Sequence, residues 1–231
     1  MNKCRELILQ YSYDVGVFDT NTLWNWLKGK GVTSTNTINS TLSKMVEDCL
    51  LSRVAKGCYA TVDGKGVFKA KPLENEKNTF YYLKEKLPFA RICVYNGSVI
   101  APMQHHVSEN NITYVEADRD ITESVFELLK ETSGNVWLSP DADMVSRYID
   151  LKDNGFIVKA LVTESPVETI EGITTPTLEK LLVDITKDPD FSYLQGTETE
   201  RIWDNARELY VINESRLNRY ARRRGLKTEK L

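Results

Sequence analysis

Residues 33–62, TSTNTINSTLSKMVEDCLLSRVAKGCYATV, determine the fold that we expect for the first part of the chain. A helix is predicted to begin near Thr33 and Ser34, because apolar residues follow at the spacing of one buried helical face: Ile38, Leu42, Met45 and Val46. Two short strand-like runs come next, at 50–54 and 58–62. Gly57 lies in the short turn between them, so the pattern predicts a helix followed by a β-hairpin.

Two shorter helices are predicted upstream of this stretch. The first begins at Lys3, and the second follows possible N-caps at 19–21 and ends at Gly29 and Gly31, since glycine tolerates the left-handed cap conformation. The order helix, helix, turn, helix, hairpin is typical of a winged helix-turn-helix. We therefore expect residues 1–72 to form such a domain and to bind double-stranded DNA, although winged helices also mediate protein contacts.

The exposed face of the third helix predicts where DNA would be contacted. It has short polar side chains and few acids, as suits a helix against phosphates and base edges. The candidate contacts on this helix are Thr33, Ser34, Thr35, Asn36, Thr37, Asn39, Ser40, Ser43 and Lys44. Arg53 and Lys56 on the hairpin would meet the phosphate backbone. Asn36 and Asn39 are the best candidates for base contacts, because asparagine bonds adenine in a bidentate way, but both also suit a helix start or a solvated surface.

Charge is strongly segregated along the chain. Residues 1–72 contain 10 Lys and Arg against 6 Asp and Glu, residues 73–215 contain 13 against 26, and residues 216–231 contain 7 against 1. A phosphate backbone would attract the basic ends and repel the acidic middle. The arginines near the end are therefore possible contacts to DNA or a partner, although positive charge at a helix C-terminus is also favoured by the helix dipole: Arg219, Arg222, Arg223 and Arg224.

The remaining residues, 73–231, predict a mixed α/β domain with a small sheet and a helical last third. The predicted strands are 91–95, 112–116, 136–138 and 156–162, and Val99–Ala101 follows an Asn96–Gly97 turn. The predicted helices are 76–87, 124–130, 141–151, 177–187, 198–209 and 214–224. Together with the first domain, this pattern predicts an α+β protein.

Composition excludes several classes of protein. No run approaches the roughly 18 apolar residues that a membrane span needs, and no apolar signal core follows the start, so we expect a cytoplasmic protein. The four cysteines are Cys4, Cys49, Cys58 and Cys93, and no two of them form a CxxC pair. This spacing favours reduced thiols over a zinc site.

The candidate catalytic groups do not combine into a known site. His105 and His106, after Gln104, point opposite ways if the segment is a strand. Acids before the helix at 124 suit a helix start, namely Asp118, Asp120 and Glu123. Glu179 and Asp184 lie about 140° apart around a helix, and Lys180 with Asp184 is an ordinary i,i+4 pair. We expect no catalysis, no cofactor and no metal.

Several segments resemble the AbiEi-like antitoxins. They are the winged helix, residues 160–166 (ALVTESP), 172–184 (GITTPTLEKLLVD), 210–213 (YVIN) and the arginine-rich end. The resemblance covers nearly the whole chain, and Pro-x-x-Glu-Lys-x-Leu-x-Asp is its most specific part. It implies a bacterial type IV toxin–antitoxin, or abortive-infection, system. In such a system the N-terminal domain represses the operon's own promoter. The C-terminal domain counteracts a nucleotidyltransferase-like toxin. The resemblance does not specify whether the antitoxin contacts that toxin directly.

Two other classes of function remain as alternatives. One is a metal-dependent nuclease that a winged helix targets to DNA, for which the histidines and acids would supply ligands. The other is a transcriptional regulator whose second domain senses a small molecule.

Overall fold

The computed structural model describes residues 3–62, 65–106, 109–194 and 196–226. The chain divides into two compact units. The first contains Met1–Val67 and Arg207–Asn218, and the second contains Phe68–Ala206 and Arg219–Leu231. Helices and small sheets occur together, which confirms the α+β class.

The first unit begins with a helix, a short strand, two helices and a hairpin. Its elements are α1 (Lys3–Val15), β1 (Val17–Asp19), α2 (Thr20–Gly29), α3 (Thr35–Glu47), β2 (Leu51–Ala55) and β3 (Cys58–Thr61). The three strands form an antiparallel sheet in the order β1–β3–β2. Strand β1 was not predicted, because three residues are too few to show the alternation of a strand.

The core of this unit is the apolar face that the sequence predicts for α3, packed on α1 and α2. Ile38, Leu42 and Met45 are buried and Val46 is partly buried, so the predicted stripe is confirmed. The other fully enclosed members are Ile8, Leu23, Leu27 and Leu51. The three helices and the hairpin are therefore held together by one apolar cluster.

Side chains cap α2 and α3 at their N-termini. The carboxylate of Asp19 accepts hydrogen bonds from the backbone N–H of Asn21 at 2.8 Å and of Thr22 at 3.0 Å. The hydroxyl of Ser34 accepts from the N–H of Thr37 at 3.3 Å. Each cap satisfies N–H groups that have no partner inside the helix, so both helix starts are fixed locally.

A later part of the chain completes the first unit. Tyr210 forms a parallel bridge with Gly66. The N–H of Gly66 donates to the carbonyl of Leu209 at 2.8 Å, and the N–H of Val211 donates to the carbonyl of Gly66 at 3.1 Å. The sequence analysis placed residues 209–211 in the second domain, because a bridge between positions so far apart along the chain has no local pattern.

The second unit is built on a four-stranded mixed sheet. Its strands are β4 (Ile92–Asn96), β5 (Ile112–Ala117), β6 (Val136–Leu138) and β7 (Gly155–Ala160), in the order β4–β5–β7–β6. Strand β4 is antiparallel to β5, whereas β5, β7 and β6 run parallel. The carboxyl ends of these three strands therefore meet at one edge of the sheet.

Helices precede, separate and follow the strands of this sheet along the chain. They are α4 (Glu74–Lys86), α5 (Thr122–Lys130), α6 (Ala142–Tyr148), α7 (Leu178–Lys187), α8 (Thr197–Leu209) and α9 (Glu214–Arg223). The boundary between the units falls within α8 and again within α9. Asp141 caps α6 as predicted, since its carboxylate accepts from the N–H of Met144 at 2.8 Å. No helix of the described residues is long and apolar enough to cross a membrane.

Two segments of the second unit differ from the sequence-based expectation. A hairpin of β8 (Val167–Ile170) and β9 (Ile173–Pro176) precedes the helices of the last third. Its two turn residues, Glu171 and Gly172, have φ values of 52° and 84°, as a tight hairpin turn requires. Gly97–Met103 is a 3₁₀ helix, so Val99–Ala101 is not a strand.

Two glycines of the first unit provide a test of this backbone. Gly57 in the hairpin turn has a φ of +75°, whereas Gly29 at the end of α2 has open space around its Cα. Gly57→Ala should lower the free energy of unfolding by about 1 kcal/mol, because a Cβ strains the left-handed conformation. Gly29→Ala should leave it unchanged or raise it by up to about 1 kcal/mol.

Urea unfolding of the full chain measures both changes. Trp137→Phe and Trp203→Phe in the background leave Trp24 and Trp26 as fluorescent reporters of the first unit. Equal stability of the Gly57→Ala and Gly29→Ala proteins would contradict the hairpin geometry.

Candidate functional site

The outer face of α3 is exposed at every position that the sequence selected for DNA contact. These positions are Thr33, Ser34, Thr35, Asn36, Thr37, Asn39, Ser40, Ser43 and Lys44. The first turn of α3 contains no acidic residue. The N-terminal half of this helix is therefore a polar surface without negative side chains, and its unpaired N–H groups favour an anion.

Hydrogen bonds within α3 divide these side chains into two groups. Ser34, Thr37 and Ser40 bond within the helix start: the hydroxyls of Ser34 and Thr37 lie 2.9 Å apart, and that of Ser40 donates to the carbonyl of Thr37 at 3.0 Å. Asn36 and Asn39 make no side-chain hydrogen bond with any described residue, so both amides face solvent. The exposed side chains of Thr33, Thr35, Ser43 and Lys44 likewise form no hydrogen bond with a described residue, so the two amides are among several polar groups that this face leaves unbonded.

The hairpin adds two exposed cations. Arg53 on β2 and Lys56 in the turn are both exposed, and neither forms an ion pair with a described residue.

Two further lysines, which the sequence analysis did not select, lie near the end of α2. Lys28 lies over the ring of Trp24, and Lys30 lies over the ring of Trp26. Their proximity to the start of α3 along the chain was the feature that could have identified them.

The four C-terminal arginines have different surroundings. Arg219 and Arg222 are exposed. The Nε of Arg223 donates to the Thr163 hydroxyl at 2.9 Å. Arg224 forms an ion pair with Asp188. Arg224 is paired inside the second unit, whereas Arg219, Arg222 and Arg223 are exposed and stay candidates for contact with DNA or a partner.

The two histidines lie beside each other on the surface. The rings of His105 and His106 are 4.7 Å apart at 73°, and both residues are exposed. Gln104 before them is buried, and its amide has no hydrogen-bond partner among the described residues. No group of three or more His, Cys, Asp or Glu side chains in the described parts of the chain is arranged to hold a metal ion.

The acids near the start of α5 take different positions. Glu123 lies in the first turn of α5, as the sequence predicts. The residue before α5 is Ile121, and no side chain caps its start. Asp118 instead accepts a hydrogen bond from the backbone N–H of Arg91 at 3.0 Å. The helix-capping interpretation of Asp118 is therefore wrong, because this carboxylate joins the loop to the start of β4.

A buried charge network lies where α7 packs against the sheet. We use this name for seven side chains: Glu116, Lys159, Lys180, Asp184, Asp188, Asp190 and Arg224. At its centre the Nζ of Lys180 is fully buried, 2.7 Å from Oε1 of Glu116 and 2.5 Å from Oδ2 of Asp184. Sequence reasoning treated Lys180 and Asp184 as an ordinary pair on a helix, whereas both are enclosed.

Lys159 forms the second half of this network. Its Nζ lies 2.8 Å from Oδ2 of Asp188 and 2.6 Å from Oδ2 of Asp190. Burial by itself lowers the pKa of Lys159, but the nearby carboxylates, Asp190 foremost, raise it above the ordinary lysine value. Burial likewise opposes the charge on Lys180, and Asp184 and Glu116 outweigh it, so its pKa is also raised. Both lysines are therefore held as ammonium ions.

Tyrosines complete the hydrogen bonds of the carboxylates. The hydroxyl of Tyr95 donates to Oε1 of Glu116 at 3.0 Å, and the hydroxyl of Tyr220 donates to Oδ1 of Asp184 at 2.9 Å. Burial raises the pKa of both phenols, so they stay protonated and act as donors. Arg224 lies beside the same carboxylate, with its Nε 3.7 Å from Oδ1 of Asp184.

Three stacked aromatic rings form one wall of the network. The rings of Tyr95 and Tyr114 are 5.1 Å apart at 7°, and those of Tyr114 and Phe191 are 5.2 Å apart at 14°. The Nζ of Lys159 lies 5.3 Å from the ring centres of Tyr114 and Phe191, and that of Lys180 lies 5.6 Å from the ring of Tyr95. The negative faces of the rings add to the stabilisation of the two ammonium groups.

No local signal in the sequence predicts that Lys180 is enclosed. Lys180, Asp184 and Lys187 fall within about 60° of one another around α7, a pattern that predicts a polar face turned towards water. Lys180 and Asp184 are nevertheless buried, and buried charges are paired.

Comparison with known families gives one result. Residues 37–230 match the family of unknown function DUF6577, and the chain therefore belongs to that family. The match begins within α3 and includes the whole of the described charge network. Comparison with curated proteins finds no match.

The central lysine gives a test of the network. Lys180→Met should lower the free energy of unfolding by about 3–5 kcal/mol, because Glu116 and Asp184 would remain buried without their counter-ion. Lys187→Met, at the exposed end of the same helix, should change it by less than about 0.5 kcal/mol. Urea unfolding in a Trp24→Phe, Trp26→Phe background leaves Trp137 and Trp203 as reporters. If Lys180→Met were as stable as Lys187→Met, the network would not stabilise the fold.

Proposed function

We propose that this protein is a DNA-binding regulator whose first unit binds double-stranded DNA through α3 and the β2–β3 hairpin. The observation that supports the proposal is the exposed face of α3, which has no acidic residue in its first turn and is followed by a hairpin with two exposed cations. The order of helices and the β1–β3–β2 sheet are also those expected of a winged helix-turn-helix.

In this arrangement the N-terminal half of α3 enters the major groove. Asn36 and Asn39 bond base edges, for which a bidentate contact to adenine suits an amide. The hydroxyls at the start of α3 bond phosphate, and the hairpin places Arg53 and Lys56 on the adjacent backbone. The phosphate contacts supply affinity and the two amides supply sequence preference.

We further propose that the regulator is an antitoxin that represses its own operon and counteracts a nucleotidyltransferase-like toxin in the bacterial cytoplasm. This part depends on the resemblance to AbiEi-like antitoxins. The segment 172–184 is its most specific part, and it ends at Asp184 in the charge network. The antitoxin itself is not an enzyme in this proposal. Carboxylates hold Lys159 and Lys180 protonated, so neither lysine acts as a general base.

Binding to promoter DNA tests the first part. Fluorescence anisotropy compares a labelled duplex from upstream of the chain's own reading frame with a scrambled duplex over a range of salt. Lys56→Ala should weaken binding to both duplexes alike and reduce the salt slope by about 1, since it removes one phosphate contact. Asn36→Ala should weaken binding to the promoter by about 1–3 kcal/mol and reduce the preference for it.

Lys130→Ala is the matched control for these variants, since Lys130 is an exposed lysine in the second unit. It should bind as the unmodified protein does. If Lys56→Ala and Asn36→Ala also bind as the unmodified protein does, α3 and the hairpin are not the DNA-binding surface.

Co-expression with the product of the adjacent reading frame tests the antitoxin part. The chain should restore growth that the adjacent product arrests. Arg219→Ala with Arg222→Ala should reduce this rescue, because they remove two exposed cations from α9. The control is Lys130→Ala with Lys152→Ala, which removes two exposed lysines elsewhere in the second unit. Full rescue by the arginine variant, with unchanged DNA binding, would mean that these arginines are only a solvated helix end.

A further inference from the structure

The charge network has one more negative group than positive groups. Its carboxylates are Glu116, Asp184, Asp188 and Asp190, and its cations are Lys159, Lys180 and Arg224. Both lysines stay charged, as described above, and an arginine keeps its charge under all ordinary conditions. Each carboxylate lies beside at least one cation, but four negative charges share three positive ones. Negative charge that is not fully compensated is unfavourable in a buried site, so the network favours the addition of one cation.

Two carboxylate oxygens are also available to such a cation. Oε1 of Glu116 accepts hydrogen bonds from both Tyr95 and Lys180, and Oδ2 of Asp190 is paired with Lys159. The second oxygen of each carboxylate, Oε2 of Glu116 and Oδ1 of Asp190, accepts no hydrogen bond from any described residue. Ionised carboxylates accept two or more hydrogen bonds in a satisfied site, so each has capacity for an N–H donor.

A cavity of about 190 Å³ adjoins these carboxylates. All four carboxylates of the network line it, with two of its cations, Lys159 and Arg224, and neutral residues that include Ser139 and Val162. The volume corresponds to about six water molecules at roughly 30 Å³ each. The cavity can therefore hold a small molecule with a single cationic group.

The position of the cavity in the fold is that of a ligand site. Glu116 and Lys159 are the penultimate residues of β5 and β7, and Ser139 directly follows β6. The cavity thus lies at the carboxyl ends of three parallel strands, which is where ligands bind in open α/β sheets.

From these observations we infer that the second unit has a binding site for a small organic cation, a primary ammonium or a guanidinium, whose N–H groups bond Glu116 and Asp190. The ligand brings the missing positive charge, and its N–H groups meet the two unused oxygens. A Mg²⁺ ion fits less well, because ammonium and guanidinium groups already occupy the other carboxylate oxygens and Mg²⁺ requires near-octahedral oxygen ligation. The site does not depend on DNA binding by the first unit.

Titration of the full chain with small cations tests this inference. Methylguanidinium and n-butylammonium chloride are followed by thermal unfolding and by calorimetry, with sodium chloride at equal ionic strength as the reference. Tetramethylammonium has the same charge but no N–H donor, so it should bind at least tenfold more weakly. Magnesium chloride and sodium phosphate are the inorganic probes.

Three variants locate the site. Asp190→Asn removes the excess charge and should weaken binding at least tenfold, because a charge-assisted hydrogen bond is lost. Val162→Phe fills the cavity without changing any charge, and should abolish binding while the far-UV circular dichroism stays native. Glu123→Gln, an exposed carboxylate on α5, is the matched control and should bind as the unmodified protein does.

A short peptide distinguishes a free molecule from a protein side chain as the source of the cation. Acetyl-Gly-Arg-Gly-amide that binds more tightly than methylguanidinium would identify an arginine side chain, and weaker binding would identify a free small molecule. Either result supports the cation site. The inference is overturned if neither N–H cation stabilises the protein above sodium chloride, if only Mg²⁺ or phosphate does so, or if Asp190→Asn and Val162→Phe both bind as the control does.

Discussion

The enclosed ammonium of Lys180 is the interaction on which the second unit depends. A charge removed from water requires close counter-charges, and here one comes from the sheet, at Glu116, and the other from the same helix, at Asp184. The two pairs fix α7 against β5. The carboxylates then fix further donors, because Tyr95 bonds Glu116 and Tyr220 bonds Asp184. One buried cation thereby orders side chains from two strands, β4 and β5, and from the helices α7 and α9.

Because buried carboxylates require nearby cations, the arginine-rich end of the chain contains both a buried ion-pair partner and exposed arginines. Arg224 lies against the carboxylates of α7, whereas Arg219 and Arg222 on α9 are exposed. A run of basic residues is therefore not a single basic surface. The inward arginine contributes to a network whose charges almost cancel, and the outward arginines contribute to the electrostatic field around the protein.

The first unit is organised on a different principle. Its centre is an apolar cluster from three helices and a hairpin, and its charged side chains lie outside that cluster. The N-terminal half of α3 is thus free to present a polar surface without acids, because apolar residues on the opposite face pack into the core. The residues that pack the core and the residues on the exposed face are therefore different ones. Substitutions on the exposed face would leave the core intact.

The sequence by itself determined the features that depend on near neighbours. The buried stripe of α3, the caps at Asp19 and Asp141 and the hairpin turn at Gly57 all follow from local spacing, and each is present. Only the tertiary structure decided that Tyr210 bridges Gly66, and that Lys180 meets Glu116 from 64 residues away along the chain. The charge network and its cavity could not be predicted, because the energy of a buried ion pair depends on which groups meet, and folding alone brings these groups together.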